Sequence, residues 1–132
     1  MDAMKSEELN VLSRRVLSAA YAVHDALGPG LLEAAYCACF DMEMRTRGLF
    51  VETQVPVPVV YRGEKLVEVG FRMDFLVERS IVLEIKAVET VAPVHLARLV
   101  SYLKLADKRL GLLINFHAVH LKQGLYRRVN GL

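Results

Sequence analysis

The sequence predicts a mixed α/β domain, a central mixed β-sheet flanked by helices in the order ααβββαβ(β). Three observations carry that reading. An apolar period of three and four residues runs from Leu9 to about Arg47. From Phe50 the period shortens to two, with Val55, Val57, Val59 and Tyr61 alternating with other residues. A helical stretch opening on Pro93 then separates two compact apolar runs, which is the pattern of a strand, a crossover helix and a parallel strand. With 132 residues, one domain over 1–132 is expected.

The first helix is marked by Leu9, Leu12, Val16, Ala19, Val23 and Leu27. Gly28-Pro29 stops it, and Gly30 opens a second helix running to about Arg47, where Gly48 ends it. Leu32, Ala35, Cys39 and Met42 are its expected core face. Pro56 and Pro58 make the first strand an edge strand, since each lacks the N–H that a central strand needs. Arg62-Gly63-Glu64 is a turn, Leu66–Val77 the second strand, and Glu78-Arg79-Ser80 the next turn. Ile81–Val88 is the third strand, apolar enough to be buried on both faces. Pro93 suits the first turn of a helix reaching about Ala106, and Leu110–Phe116 is a buried strand. The connection between these two strands is expected to be right-handed. The tail adds one more strand around Gly124–Arg127.

Composition excludes several classes. Apolar residues make up 54% and charged residues 24%, too apolar for disorder. A net charge of +2 disfavours a protein that binds polyanions by bulk charge alone. Mean hydropathy is +0.30, yet the longest uncharged run, Leu110–Leu121, is twelve residues. About twenty are needed to span a bilayer as a helix, so no membrane role is expected. Asp2, Glu7 and Glu8 break any apolar leader. The two cysteines, Cys37 and Cys39, cannot form a disulfide framework and suit a reducing cytoplasm.

Chemistry concentrates on two adjacent strands. A three-residue loop centred on Arg79 sets Asp74 directly opposite Glu84 in an antiparallel hairpin. Opposed side chains lie roughly 4.5–5.5 Å apart at Cβ, and like charges there destabilise the sheet. A divalent cation shared by both carboxylates offsets that repulsion. Period two puts Lys86 on the face of Glu84, with Ile85 pointing away. Two carboxylates and an ammonium converging on a strand suit metal-assisted phosphodiester hydrolysis. The plain alternative is a buried ion-pair network with no chemistry.

At these residues the chain resembles a known family. Asp74 followed by Glu84-Ile85-Lys86 on adjacent strands is similar to the PD-(D/E)XK nuclease superfamily, which has the restriction-endonuclease-like fold. Gly30-Leu31-Leu32-Glu33-Ala34-Ala35-Tyr36 resembles the motif of the GxxExxY proteins within it. Arg72–Leu76, Glu84–Val88 and Leu110–Phe116 are similar to that family's other blocks, in the same order. The resemblance implies a nuclease using Mg²⁺ (or Mn²⁺), with Asp74, Glu84 and the Ile85 carbonyl as metal ligands. Lys86 would orient or activate the attacking water, and Glu33 would be the helix-borne acid. Tyr36, one turn from Glu33, is expected on the substrate side, or else at an amphipathic boundary.

Related nucleases carry Gln-x-x-x-Tyr on the helix after the lysine strand, where this chain has Arg98 and Tyr102. His95, Arg98 and Tyr102 share one helical face and are expected to meet substrate. An arginine there either grips a phosphate or pairs with Glu84 and takes the metal's place. DNA is the expected partner, with RNA also open, and sequence recognition in so small a domain calls for a partner or a homodimer. Two alternatives stand beside the nuclease: a nuclease-fold protein that binds nucleic acid or a protein without cutting, and a structural homodimer.

Overall fold

The computed structural model describes residues 4–132. Helices α1 (Ser6–Leu27) and α2 (Glu33–Thr46) come first, then strands β1 (Val51–Tyr61), β2 (Glu64–Val77) and β3 (Ile81–Lys86). Helix α3 (Pro93–Ala106), strand β4 (Leu110–Asn115), a 3₁₀ turn (Leu121–Gly124) and strand β5 (Leu125–Val129) complete the chain. The sheet order is β1-β2-β3-β4-β5, so the proline-bearing β1 lies at an edge. Only β3 and β4 are parallel, and α3 makes the crossover between them. Every other neighbouring pair is antiparallel.

Helix α1 buries Leu9, Leu12, Val16, Ala19 and Val23, the stripe its period predicts. It stops at Gly28, whose φ of 71° is open to glycine and whose N–H donates to the His24 carbonyl at 2.8 Å. Helix α2 departs from expectation. It begins at Glu33, and it buries Tyr36, Phe40 and Met44, not the face of Leu32, Ala35, Cys39 and Met42. Leu32 is 81% and Met42 72% exposed. The helix turns to where two aromatic rings and a methionine leave water, a larger apolar area than alanine and cysteine offer.

The sheet separates two cores. Ile81, Leu83, Ile85, Leu110, Leu112 and Ile114 face α1 and α2, while Val82 and Leu113 face Leu99 and Leu103 of α3. This is the period-two alternation of strands covered on both faces. At Gly111 a Cβ would lie 2.8 Å from Leu99 Cδ1, so α3 seats directly on β4.

The β1–β2 hairpin changes the core it serves along its length. Val51, Phe75 and Val77 belong to the α1/α2 side, whereas Val55, Val57, Phe71 and Met73 pack on the α3 side. The switch falls between the pairs Thr53↔Phe75 and Val55↔Met73, where Gln54 has a φ of 50°. Beyond it the hairpin leaves the body of the molecule, and Glu64 to Gly70 are all exposed. The sheet is therefore buried on both faces at its centre and bare at this end.

Candidate active site

The β2–β3 turn, Glu78-Arg79-Ser80, fixes the register Val77↔Ile81, Leu76↔Val82 and Phe75↔Leu83. One step further along that register, Asp74 meets Glu84. There each acid turns onto the neighbouring main chain. Asp74 Oδ2 accepts the Ile85 N–H at 2.8 Å, and Glu84 Oε1 accepts the Asp74 N–H at 3.4 Å. Glu84 is buried, with 9% exposure, and Lys86 is half-buried on the same side of β3.

Two carboxylates in one desolvated place resist ionising together. Burial first, and the charge of Asp74 second, push the Glu84 carboxyl up to about 8. Burial also raises Asp74, against the Ile85 N–H bond, the Lys86 ammonium and the nearby Gln54 side chain. A proton on Glu84 thus supports the fold. Its contribution is complete below 4.5, the ordinary glutamate value, and is lost as pH rises through about 8. In chelator, Glu84→Gln is expected to stabilise the protein at pH 8.5 by on the order of 2 kcal/mol. The gain should vanish at pH 4.5, and thermal melts at both pH values check it.

Glu33 opens α2 at the mouth of this cluster, exposed to solvent. Its carboxyl is raised by partial burial and by Asp74, with Lys86 pulling the other way. One turn on, Cys37 packs against the α1/α2 core, and its thiol is pushed up to about 12 by burial and then by Asp74, Glu33 and Glu84. Tyr36 lies apart from this chemistry. It is fully buried, stacked on Phe116 at 4.9 Å, and its hydroxyl donates to the Gly28 carbonyl at 2.6 Å and accepts the Leu31 N–H at 3.1 Å. Its ring and hydroxyl are spent holding the loop between the two helices.

Helix α3 presents His95, Arg98 and Tyr102. His95 Nδ1 accepts the Ala92 N–H at 3.1 Å, closing the helix start, so the neutral ring carries its proton on Nε2. Partial burial, then Lys86 and Arg98, lower its pKa. Tyr102 stacks on Phe71 at 3.8 Å, and burial followed by the Glu84 charge raises its phenol, with Arg98 opposing. Arg98 is exposed. Among the described residues no ion pair joins it to Glu84, although its charge favours the Glu84 carboxylate.

Two residues that the sequence did not single out support the cluster. Gln54, at the kinked position of β1, favours the Asp74 carboxylate. Asn115, buried at the end of β4, accepts the Val88 N–H at 3.1 Å and donates to the Val88 carbonyl at 2.8 Å. That double bond, with the Phe116 N–H donating to the Lys86 carbonyl, fixes the chain just past Lys86. A polar residue closing an apolar strand was the visible sign of Asn115. Gln54 gave none.

Among the described residues no three His, Cys, Asp or Glu side chains converge closely enough to hold a metal between them. Asp74 and Glu84 nonetheless form a hard-oxygen pair whose mutual repulsion a divalent cation relieves. Main-chain, water or substrate oxygens would complete its shell. The residues fit such an ion.

A five-stranded mixed sheet between helices, with two acids and a lysine on adjacent central strands, defines a restriction-endonuclease-like protein. The family model described as the PD-(D/E)XK nuclease superfamily matches residues 10–129. The chain belongs to that superfamily. No curated protein and no solved structure matches it. Among the described residues, no helix is long and apolar enough to cross a membrane.

Proposed function

We propose that this chain is a single nuclease-like domain hydrolysing phosphodiester bonds of DNA with Mg²⁺ or Mn²⁺. One observation carries the reading: Asp74 and Glu84 are pinned side by side on β2 and β3, with Lys86 following on the same side of the sheet. Asp74, Glu84 and the Ile85 carbonyl would hold the ion. When bound, it supplies Lewis acidity to the phosphate and lowers the pKa of a coordinated water. Lys86 places a positive charge where the phosphorane charge develops and orients the attacking water. Glu33, on the opposite flank, is an acid within electrostatic reach of Lys86 and helps orient it.

Three side chains of α3 line the approach. Arg98, exposed and unpaired with Glu84, serves as the phosphate fork, which favours cutting over a disabled site. His95 offers Nε2–H as a donor, and Tyr102 is braced by Phe71. Within the superfamily we place the chain with the GxxExxY proteins. The Tyr36 contacts give the spacing of Gly30, Glu33 and Tyr36 a structural purpose, whatever the substrate. Two unpaired cysteines on one helix suit action in the cytoplasm. A homodimer is part of this reading, since one small site cuts one strand and a pair addresses both.

The test is cleavage of plasmid and single-stranded DNA in Mn²⁺, beside calorimetric titration of the ion. Wild type should cut and bind the ion at millimolar concentration or below. Asp74→Asn should do neither. Cleavage persisting in Asp74→Asn, or no ion binding by wild type, would overturn the reading.

A further inference from the structure

The two edges of the sheet differ. Pro56 and Pro58 deny β1 the N–H groups that an added strand would need. Strand β5, at the other edge, carries no proline. It pairs antiparallel with β4 from Leu125↔Ile114 to Val129↔Leu110, so every second residue turns its N–H and carbonyl outward. Beside it lies a cavity of about 100 Å³, lined by Ser13 and Leu17 of α1, Leu112 of β4, and Leu125, Tyr126 and Arg127 of β5. Three leucines make this a place for one small aliphatic side chain rather than for water. Arg127 is anchored there by Asn10, whose Oδ1 accepts from the guanidinium at 2.9 Å.

The charge of this part of the chain is one-sided. Residues 108–132 contain Lys108, Arg109, Lys122, Arg127 and Arg128 and not one aspartate or glutamate. Among the described residues none of the five forms an ion pair. Two copies of so basic a strand repel each other, which excludes a second β5 as the occupant. Nucleic acid would be drawn by the charge but has no use for outward main-chain groups or a leucine-lined cavity. An extended chain with acids and an aliphatic side chain uses all three. We infer that the free edge of β5 takes an extended acidic segment of a partner protein as a sixth strand, with one aliphatic side chain seated in the cavity beside α1. The arginines of β5 pair with Leu112 and Gly111, toward the end of the sheet away from Lys86. The inference stands on this edge alone and does not require the chain to cut DNA.

Amide chemical shifts of the full chain, titrated with the synthetic peptide Glu-Asp-Val-Thr-Leu-Thr-Val-Asp-Glu, test it. Shifts should concentrate at residues 125–129 and on the α1 turn through Ser13 and Leu17. Two further peptides carry N-methyl groups on alternate residues. One of the two, unable to donate along the facing edge, should bind at least tenfold more weakly. Replacing the peptide's leucine by aspartate should cost as much, and so should Arg127→Glu/Arg128→Glu in the protein. Ser13→Leu, which fills the cavity without changing charge, should weaken binding with no fall in melting temperature. No shift at millimolar peptide overturns the inference, as does equal binding by both N-methylated peptides or by a lysine-flanked peptide. So does a single-stranded oligonucleotide that shifts the β5 amides where the acidic peptide does not. Amides of β5 that shift when the protein alone is concentrated would make a second copy the occupant and overturn it too. Failure of DNA cleavage has no bearing on this result.

Discussion

Lys86→Met is expected to cut DNA about 10²–10³-fold more slowly than wild type under single-turnover conditions, with ion affinity unchanged within twofold. The size follows from removing one preorganised positive donor beside a developing charge in a water-poor site. Methionine keeps most of the aliphatic stem, so the packing of β3 against α3 survives. The geometry separates lysine from the acids. Asp74 accepts the Ile85 N–H and Glu84 accepts the Asp74 N–H, whereas the Lys86 backbone is held by Phe116, and Asn115 fixes the residues beyond it. Losing the ammonium therefore leaves the acidic pair in place. Calorimetry with Mn²⁺ alongside the cleavage rate decides the matter. Equal loss of both would make Lys86 a structural counter-charge, and retention of more than a tenth of the rate would remove it from the chemistry.

Phe116→Ala should destabilise the fold by about 3–5 kcal/mol, the cost of emptying an aromatic site in a core. Phe116 is fully buried, stacked on Tyr36 and edge-on to Phe40 at 5.6 Å, and Phe40 in turn meets Phe75. These three contacts tie α2 to both ends of the sheet's centre. Against a total stability of about 5–15 kcal/mol for a domain, the loss is large. Urea unfolding followed by circular dichroism measures it. A change below about 1.5 kcal/mol would mean that the cluster collapses around the missing ring.

The legible parts of the molecule were those governed by counting. Strand period, the three-residue turn at Arg79 and the spacing of Glu84 and Lys86 together place the acids and the lysine on adjacent strands, and they lie there. The edge position of β1 followed from its prolines, and the crossover from Pro93 and the apolar runs around it. What depends on competition between faces was less legible. Helix α2 has two plausible apolar stripes, and only the aromatic partners supplied by Phe116 and Phe75 select the one through Tyr36 and Phe40. The exposure of Glu64 to Gly70 was not legible either, because exposure depends on what lies opposite, which alternation does not encode. A left-handed φ at Gln54 has no compositional sign, since glutamine is not a residue that turns favour. Tyr36 was drawn toward substrate by its neighbour Glu33, while its hydroxyl was already engaged by Gly28 and Leu31.

That engagement makes the spacing between Glu33 and Tyr36 a protractor. The stack on Phe116 and the two hydroxyl bonds fix the azimuth of Tyr36 about the α2 axis. Each helical residue advances that angle by about 100°, so three residues back is about 60° short of a full turn. Glu33 is thereby held where the charges of Asp74 and Lys86 reach it. One residue inserted between them would swing the acid a further 100° or so away from the cluster while leaving both motif residues intact in composition. The motif is read by the fold as an angle before it is read by any substrate as chemistry.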